Sequence, residues 1–308
     1  MWRRKSSNFL GVTLTLVGIA SGLRTETNTD SLPLDAGHAW RPLIERLDTG
    51  LQEKLLGELE RRERWKALIQ QKKMAVGLVD LRDPGLPRLA MVNGTRTMYA
   101  ASLPKIAIMY SSFKGFERGS LMESPEAIQD LEAMIRGSRN DAATRLIRKL
   151  GFERIAAELT SPTVELYDEE HGGGLWVGRA YSKYSRRLPD PVEQVTHGAN
   201  AYQVCRFYYL LAYGRLISPE RSRQMLGFLS NTGMHHKFAH HLHRTANLSR
   251  VYRKSGTWKK WHSDSVLVWE EGDRKYILVA LVEDRNGEQI LRDLLPVIEQ
   301  LLENEVSG

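Results

Sequence analysis

The apolar pattern of this chain changes period twice along its length. Two strand-like segments near the front are separated from three near the back by more than a hundred residues of helical pattern. Any fold must therefore carry a long helical excursion between the two groups of strands. At the front, Ala75 to Leu81 reads as a strand, Asp83-Pro84-Gly85 as a turn, and Arg88 to Val92 as a second strand followed by Asn93-Gly94, which together make a hairpin. At the back, Val251 to Trp258, Ser265 to Trp269 and Tyr276 to Val282 carry strand patterns. Leu51, Leu55, Leu59, Trp65, Leu68 and Ile69 predict an amphipathic helix ending near Gln71. Ile290, Leu291, Leu294, Leu295, Ile298, Leu301 and Leu302 mark a final helix, which Pro296 is expected to kink. From Leu103 to about Ile217 the pattern is mostly helical, interrupted by Gly172-Gly173-Gly174 and by a polar stretch around Leu188 to Asn200.

Helices at both ends can cover one sheet, so the reading is α+β. An antiparallel five-stranded sheet flanked by terminal helices is joined to an all-helical domain, and a site is expected in the crease between them. The expected boundaries are an export signal at 1–20, a polar linker at 21–38, a discontinuous sheet domain at 39–100 with 245–308, and the helical domain at 101–244.

Composition narrows the function. At 308 residues, 42% hydrophobic and 26% charged, the chain reads as a soluble globular protein with a sizeable core, not a collagen-like, coiled-coil or multi-span one. One cysteine, Cys205, excludes an intramolecular disulfide, a Cys-rich zinc site and a Cys-x-x-Cys redox motif. It is read as a buried small hydrophobe. Three charges of the net +7 are Arg3, Arg4 and Lys5, ahead of an apolar run from Phe9 to Ala20 that ends in Gly18-Ile19-Ala20. That is the pattern of an export signal, too short for the roughly 20 residues of a spanning helix. A periplasmic or secreted monomer is expected, with no stable membrane span once the signal is cleaved. Elsewhere the charges interleave, as in Glu58 to Arg64, which argues against a nucleic-acid partner.

Three short patterns carry chemistry. In Ala100-Ala101-Ser102-Leu103-Pro104-Lys105-Ile106, Pro104 suits a first helical turn and sets Ser102 and Lys105 on one face. A lysine desolvated by Ile106, Ile108, Met109 and Tyr110 loses its proton near neutral pH and serves a serine nucleophile as base. Ser111 and Lys114 repeat the spacing, but in mid-helix. The second pattern, Ser138-Arg139-Asn140, enters a helix: the Ser138 hydroxyl suits a proton relay and the Asn140 amide can hold Lys105 or a substrate carbonyl. The competing reading is that Ser138 or Asn140 only caps the helix. The third is Lys254-Ser255-Gly256-Thr257 on a strand. Lys254 can meet a substrate carboxylate, Ser255 and Thr257 can hydrogen-bond it, Gly256 allows close approach, and the Thr257 N–H can face a developing oxyanion.

In this order, from about residue 50 to residue 300, the three patterns resemble those of the penicillin-recognising serine hydrolases, most closely the class A β-lactamase branch. The resemblance implies that Ser102 is the acylated nucleophile, Lys105 its base or base partner and Ser138 the proton shuttle. It also implies that Asn140, Lys254, Ser255, Gly256 and Thr257 bind substrate, with the backbone N–H groups of Ser102 and Thr257 as oxyanion hole. The implied function is hydrolysis of a β-lactam amide through an acyl-enzyme. A D-alanyl-D-alanine carboxypeptidase or another amidase or esterase of the superfamily is the alternative, and a non-catalytic penicillin- or peptidoglycan-binding module a second. The partner is a small β-lactam or peptidoglycan-derived substrate, with no cofactor and no metal.

Two departures accompany the resemblance. No Glu-x-x-x-Asn follows the second pattern, where Glu165, Asp168, Glu169 and Glu170 stand in another arrangement. The basic residue expected on the next strand is missing from Trp261-His262-Ser263-Asp264-Ser265. Slow deacylation is the expected result. His235, His236, His240, His241 and His243 cluster, with His236 and His240 at a helical metal-pair spacing, but no third ligand is evident and the cluster is read as a polar helix face. His171-Gly172-Gly173-Gly174 is read as a flexible loop, and Trp176 and Trp258 as packing residues.

Overall fold

The computed structural model describes residues 1, 40–230, 233 and 236–304. The expected export signal and linker lie outside these residues, apart from Met1. Helices α1 (Thr49–Glu60) and α2 (Glu63–Gln70) precede strands β1 (Met74–Asp80), β2 (Arg88–Val92) and β3 (Met98–Tyr99). Four helices follow: α3 (Lys105–Glu117), α4 (Pro125–Ile135), α5 (Asn140–Leu150) and α6 (Phe152–Leu159). Short strands β4 (Tyr167–Asp168), β5 (Gly173–Gly174), β6 (Trp176–Val177) and β7 (His197–Ala199) lead to α7 (Ala201–Ala212), α8 (Pro219–Leu229) and α9 (Phe238–Thr245). The chain closes with β8 (Val251–Trp258), β9 (Trp261–Trp269), β10 (Lys275–Glu283) and α10 (Gly287–Asn304).

The front hairpin and the three rear strands form one antiparallel sheet in the order β2-β1-β10-β9-β8. Alternate residues of a strand point to opposite faces, and here both faces are covered. Val76, Leu78, Leu278, Ala280 and Val282 belong to a core with Leu51, Leu55 and Leu59 of α1 and Ile290, Leu294 and Ile298 of α10. Ala75, Val79, Ile277, Val279 and Leu281 belong to the other core, with α3 and α7. That double coverage is why β1 and β10 read as continuous apolar runs and not as alternating ones.

Several elements differ in detail from the sequence reading. The first helix is two, because Arg62 is extended (φ −108°, ψ 108°) between them. The break re-aims Trp65, Leu68 and Ile69 onto the core already lined by Leu51, Leu55 and Leu59. The last helix runs through Pro296 without interruption. Strand β9 begins at Trp261, ahead of its apolar stretch, so its polar residues Ser263, Asp264 and Ser265 are buried. Strands β3, β7 and β6 form a small sheet, and β4 pairs with β5, so Gly173 and Gly174 are strand residues and not a flexible loop. Two or three residues are too few to show a period. None of the described helices is long and apolar enough to cross a membrane.

A buried carboxylate ties the sheet edge to α9. Asp264 Oδ2 accepts from Arg253 Nε at 3.1 Å and Nη2 at 2.7 Å, and from the Phe238 N–H at 3.1 Å. Both charged groups are withdrawn from water, so removing one strands the other. Asp264→Ala is expected to cost roughly 3 to 5 kcal/mol, read from the urea midpoint, and Asp264→Leu with Arg253→Met to recover much of it. A loss below about 1 kcal/mol in the single variant would show that the pair does not hold this edge.

Candidate active site

The turn ahead of α3 is built around Ala101, whose φ of 53° lies in the left-handed region that alanine seldom occupies. Pro104 then precedes the first helical residue, Lys105. This geometry leaves Ser102 half-buried at the mouth of the helix and buries Lys105 completely. Ser111, the competing serine, lies buried within the helix with no partner for its hydroxyl.

Lys105 Nζ donates to Ser102 Oγ at 3.2 Å, to the Ser138 carbonyl at 2.6 Å and to Asn140 Oδ1 at 2.7 Å, with Ser138 Oγ at 3.5 Å. Burial pushes its pKa down to about 7, only partly offset by the charge of Asp141. The amine is therefore available in its neutral form at physiological pH. Ser138, like Ala101, has a positive φ, of 53°, and turns its carbonyl and hydroxyl toward the lysine. Neither Ser138 nor Asn140 caps α5: the capping position is Arg139, which makes no side-chain cap, and Asn140 Oδ1 is held by Lys105. The capping alternative thus gives way to a site contact.

The third pattern comes in from β8. Lys254 is buried, and its Nζ donates to Ser138 Oγ at 2.9 Å and to the Ser255 carbonyl at 3.0 Å. Burial, and then the charges of Lys105, Arg253 and Lys237, hold its pKa well below the ordinary lysine range. Ser138 Oγ therefore stands between two amines. Gly256 passes so close to the Ser102 turn that a Cβ there would lie 2.3 Å from the Ala100 carbonyl oxygen and 2.6 Å from Ser102 N. Ser263 Oγ donates to the same Ala100 carbonyl at 2.8 Å, which locks the sheet edge to the turn. Ser255 is buried and Thr257 exposed at the end of this edge.

Two groups at the site escaped the sequence reading. Lys237 is buried, donates to the Gly256 and Ser263 carbonyls, and is pushed down to about 8 by burial. It brings to this edge a cation that the next strand lacks. Its signal was hidden in the histidine cluster, where a lone lysine looked like one more polar residue. Tyr181 is the other: its hydroxyl donates to the Ala101 carbonyl at 3.1 Å and its ring centre lies 4.5 Å from Lys105 Nζ. It lies in a polar stretch where no pattern marks it.

Of the four carboxylates in the loop after the second pattern, Asp168 is engaged away from Ser102. Asp168 binds His171 Nδ1 at 2.5 Å and accepts from the Glu170 N–H at 2.9 Å, and none of Glu165, Asp168, Glu169 and Glu170 bonds to Ser102 or Lys105. In the histidine cluster, His236 precedes α9, so the helical pair with His240 does not form. His235 lies outside the described residues. His241 is held by Glu299 at 2.8 Å. Among the described residues no group of three His, Cys, Asp or Glu could hold a metal ion. Cys205 is buried, with its thiol pKa raised by burial. Trp176 packs against Tyr167, ring centres 4.8 Å apart, whereas Trp258 borders an open cavity of about 780 Å³ that also includes Asn140, Tyr181 and Trp261.

Solved structures share this architecture. The β-lactamase from Sphaerobacter thermophilus is 16% identical, with 81% of this chain and 97% of that one aligned at a TM-score of 0.61. A mutant of PBP-A, determined as an acyl-enzyme complex with penicillin G, is 19% identical over 86% of this chain and 100% of its own, also at 0.61. An ancestral class A β-lactamase, of the last common ancestor of Gram-negative bacteria, is 18% identical over 77% and 98% at 0.56. At such identities the likeness is one of fold. No curated protein matches the chain. Residues 124–301, more than half of the sequence and including the Ser138, Lys254 and Gly256 segments, match the β-lactamase enzyme family, and the chain belongs to it.

Proposed function

We propose that the protein is an exported serine hydrolase that opens β-lactam amides through an acyl-enzyme at Ser102. The observation that carries this reading is a buried amine, Lys105 Nζ, at 3.2 Å from one serine hydroxyl and 3.5 Å from another. Neutral Lys105 takes the Ser102 proton as Oγ bonds to the carbonyl carbon. The charge that develops on the carbonyl oxygen is met by the N–H groups of Ser102 and Thr257. As the C–N bond breaks, Ser138 gives its proton to the leaving nitrogen and regains one from the protonated amine beside it. Ser255 and Thr257 hold the substrate carboxylate, with the charges of Lys254 and Lys237 behind them. Asn140 positions Lys105 and faces the substrate.

Hydrolysis of the ester is the slow half. A general base must lie within hydrogen-bond reach of the water it activates, and the group packed on Lys105 is the Tyr181 ring. The same observation favours a second reading, a D-alanyl-D-alanine carboxypeptidase or related amidase, which shares the acylation step without a dedicated deacylating carboxylate. The place of action is the periplasm or the exterior, argued from the Arg3 to Ala20 segment, and the working unit is a monomer.

Mass spectrometry after exposure to benzylpenicillin is expected to show one covalent equivalent in the wild type and none in Ser102→Ala, with little change in thermal unfolding. Labelling that survives Ser102→Ala would move the nucleophile. Because the neutral amine is the base and its pKa is about 7, acylation should rise as pH passes about 7 and level off above it. Lys105→Ala should lower the rate roughly 10² to 10⁴-fold. A flat profile from about pH 5 to about pH 9 would assign proton removal to another group. Nitrocefin should give a burst of one equivalent and then a slower steady rate. Fast turnover with no burst would mean that an effective deacylating base exists.

A further inference from the structure

The cavity beside Asn140, about 780 Å³ in volume, is unbalanced in charge. Five cationic residues line it, Lys72, Arg96, Arg179, Lys183 and Arg187, against two carboxylates, Glu193 and Glu283. Both carboxylates already have partners, Glu193 with Arg96 at 3.2 Å and Glu283 with Lys260 at 2.6 Å. Lys72, Arg179, Lys183 and Arg187 make no ion pair among the described residues. A smaller cleft of about 420 Å³ beside α10 shows the contrast, since its Arg274 is bound by Glu270 and Glu299 and its Arg82 by Asp80.

Arg179 is the most telling of the four cations. One of its terminal nitrogens donates to the Lys183 carbonyl at 3.1 Å, but its Nε is buried without an acceptor among the described residues. A buried donor left unpaired is costly, and a guanidinium is built to bind a carboxylate with two parallel bonds. The neighbouring His197 adds no charge at neutral pH, because burial, Arg179 and Lys105 push its pKa down to about 4. Tyr99, Tyr181, Trp258 and Trp261 supply flat apolar surface in the same cavity. The loop that carries the cations is held in place: Gly178 lies so close to Leu188 that a Cβ would fall 1.6 Å from its carbonyl oxygen, and Trp176 Nε1 donates to that carbonyl at 2.8 Å.

We infer that this cavity selects acyl donors whose side chain carries an aromatic ring and a second carboxylate, the anion being met by Arg179 and Arg187. The inference rests on the reading of Ser102 as nucleophile only for the identity of the donor. Asn140 and Tyr181 border both the Lys105 contacts and the cavity, so a substrate bound at Ser102 extends past them into it. The carboxylate next to the reacting bond goes to Ser255 and Thr257, and the second one to the cationic loop.

Carbenicillin and benzylpenicillin differ by a single side-chain carboxylate, which makes them the probes. Equilibrium binding to Ser102→Ala, measured by calorimetry, should favour carbenicillin roughly tenfold at low salt, as one charge-assisted contact would give. The preference should shrink as salt shortens the screening length to about 3 Å near 1 M. In Arg179→Gln and in Arg187→Gln, each made in the Ser102→Ala background, the ratio of the two affinities should fall toward one. Arg187 makes no ion pair among the described residues, so its variant keeps the test valid if Arg179→Gln misfolds. Equal affinities in Ser102→Ala, or a ratio that survives both arginine variants, would overturn the inference. Wild type left unlabelled by both penicillins would overturn the acyl-enzyme reading instead, while the affinity ratio still decides the cavity.

Discussion

A lysine amine held out of water organises this molecule. Lys105 gains three short contacts, to Ser102, Ser138 and Asn140, but it loses the hydration an ammonium would have. That lost hydration brings its pKa down to about 7, only partly offset by the charge of Asp141. The sign matters for the fold as well as for the chemistry. Between about pH 7 and the ordinary lysine range the unfolded chain binds the proton and the folded chain does not, so stability rises with pH across that window and the cost of burial is fully present below it. A residue that weakens the fold at neutral pH is retained where its neutral form can accept a proton from serine.

The sheet edge is built to hold that amine in register. Gly256 lets β8 approach the Ser102 turn, Ser263 bonds the Ala100 carbonyl, and Ser265 Oγ donates to the Lys254 carbonyl at 2.8 Å while meeting Tyr208 at 3.0 Å. Lys254 then reaches Ser138 from across the crease. Behind this edge the Asp264 carboxylate joins Arg253 to the start of α9, and the residue before that helix, Lys237, returns to bind two edge carbonyls. The polar first half of β9 makes sense in these terms: its side chains are buried because they position neighbours, not because they fill a core.

The parts legible in the sequence are those whose signals are local or periodic. The five main strands and the terminal helices were visible because both faces of β1 and β10 are covered, which makes long apolar runs. Ser102, Lys105, Ser138 and Asn140 could be marked because each sits in a short pattern at an element boundary, and Lys254 because it sits in a short pattern within β8; the fold draws them into one bonded group. Lys237 and Tyr181 act through the path of the chain instead. Lys237 reaches Gly256 only because α9 packs where it does, with a positive φ of 56° at the lysine, and no spacing rule encodes that. The cationic cavity was missed for a related reason: Lys72, Arg96 and the 179–187 loop are far apart in sequence, and each looks like ordinary surface charge until the fold gathers them.

The same gathering sets the electrostatics of the reaction. Lys105, Lys254, Lys237 and Arg253 crowd one region whose only buried carboxylate contact among the described residues is Asp264, already bonded to Arg253. Burial holds all three lysine pKa values down; Lys254 is lowered further by the charges of Lys105, Arg253 and Lys237, and Lys237 by that of Arg253. An arriving substrate carboxylate changes that balance, because it favours the charged form of the amines nearest to it. Lys254 and Lys237, on the carboxylate side, are the ones it would return toward ammonium. Lys105 lies beneath Ser102 and is flanked by the Tyr181 ring, and in the proposed reaction it keeps the neutral form that proton removal requires. In the proposed reaction, binding an anion and activating the serine are compatible demands because Lys254 and Lys237 serve the sheet edge while Lys105 serves Ser102.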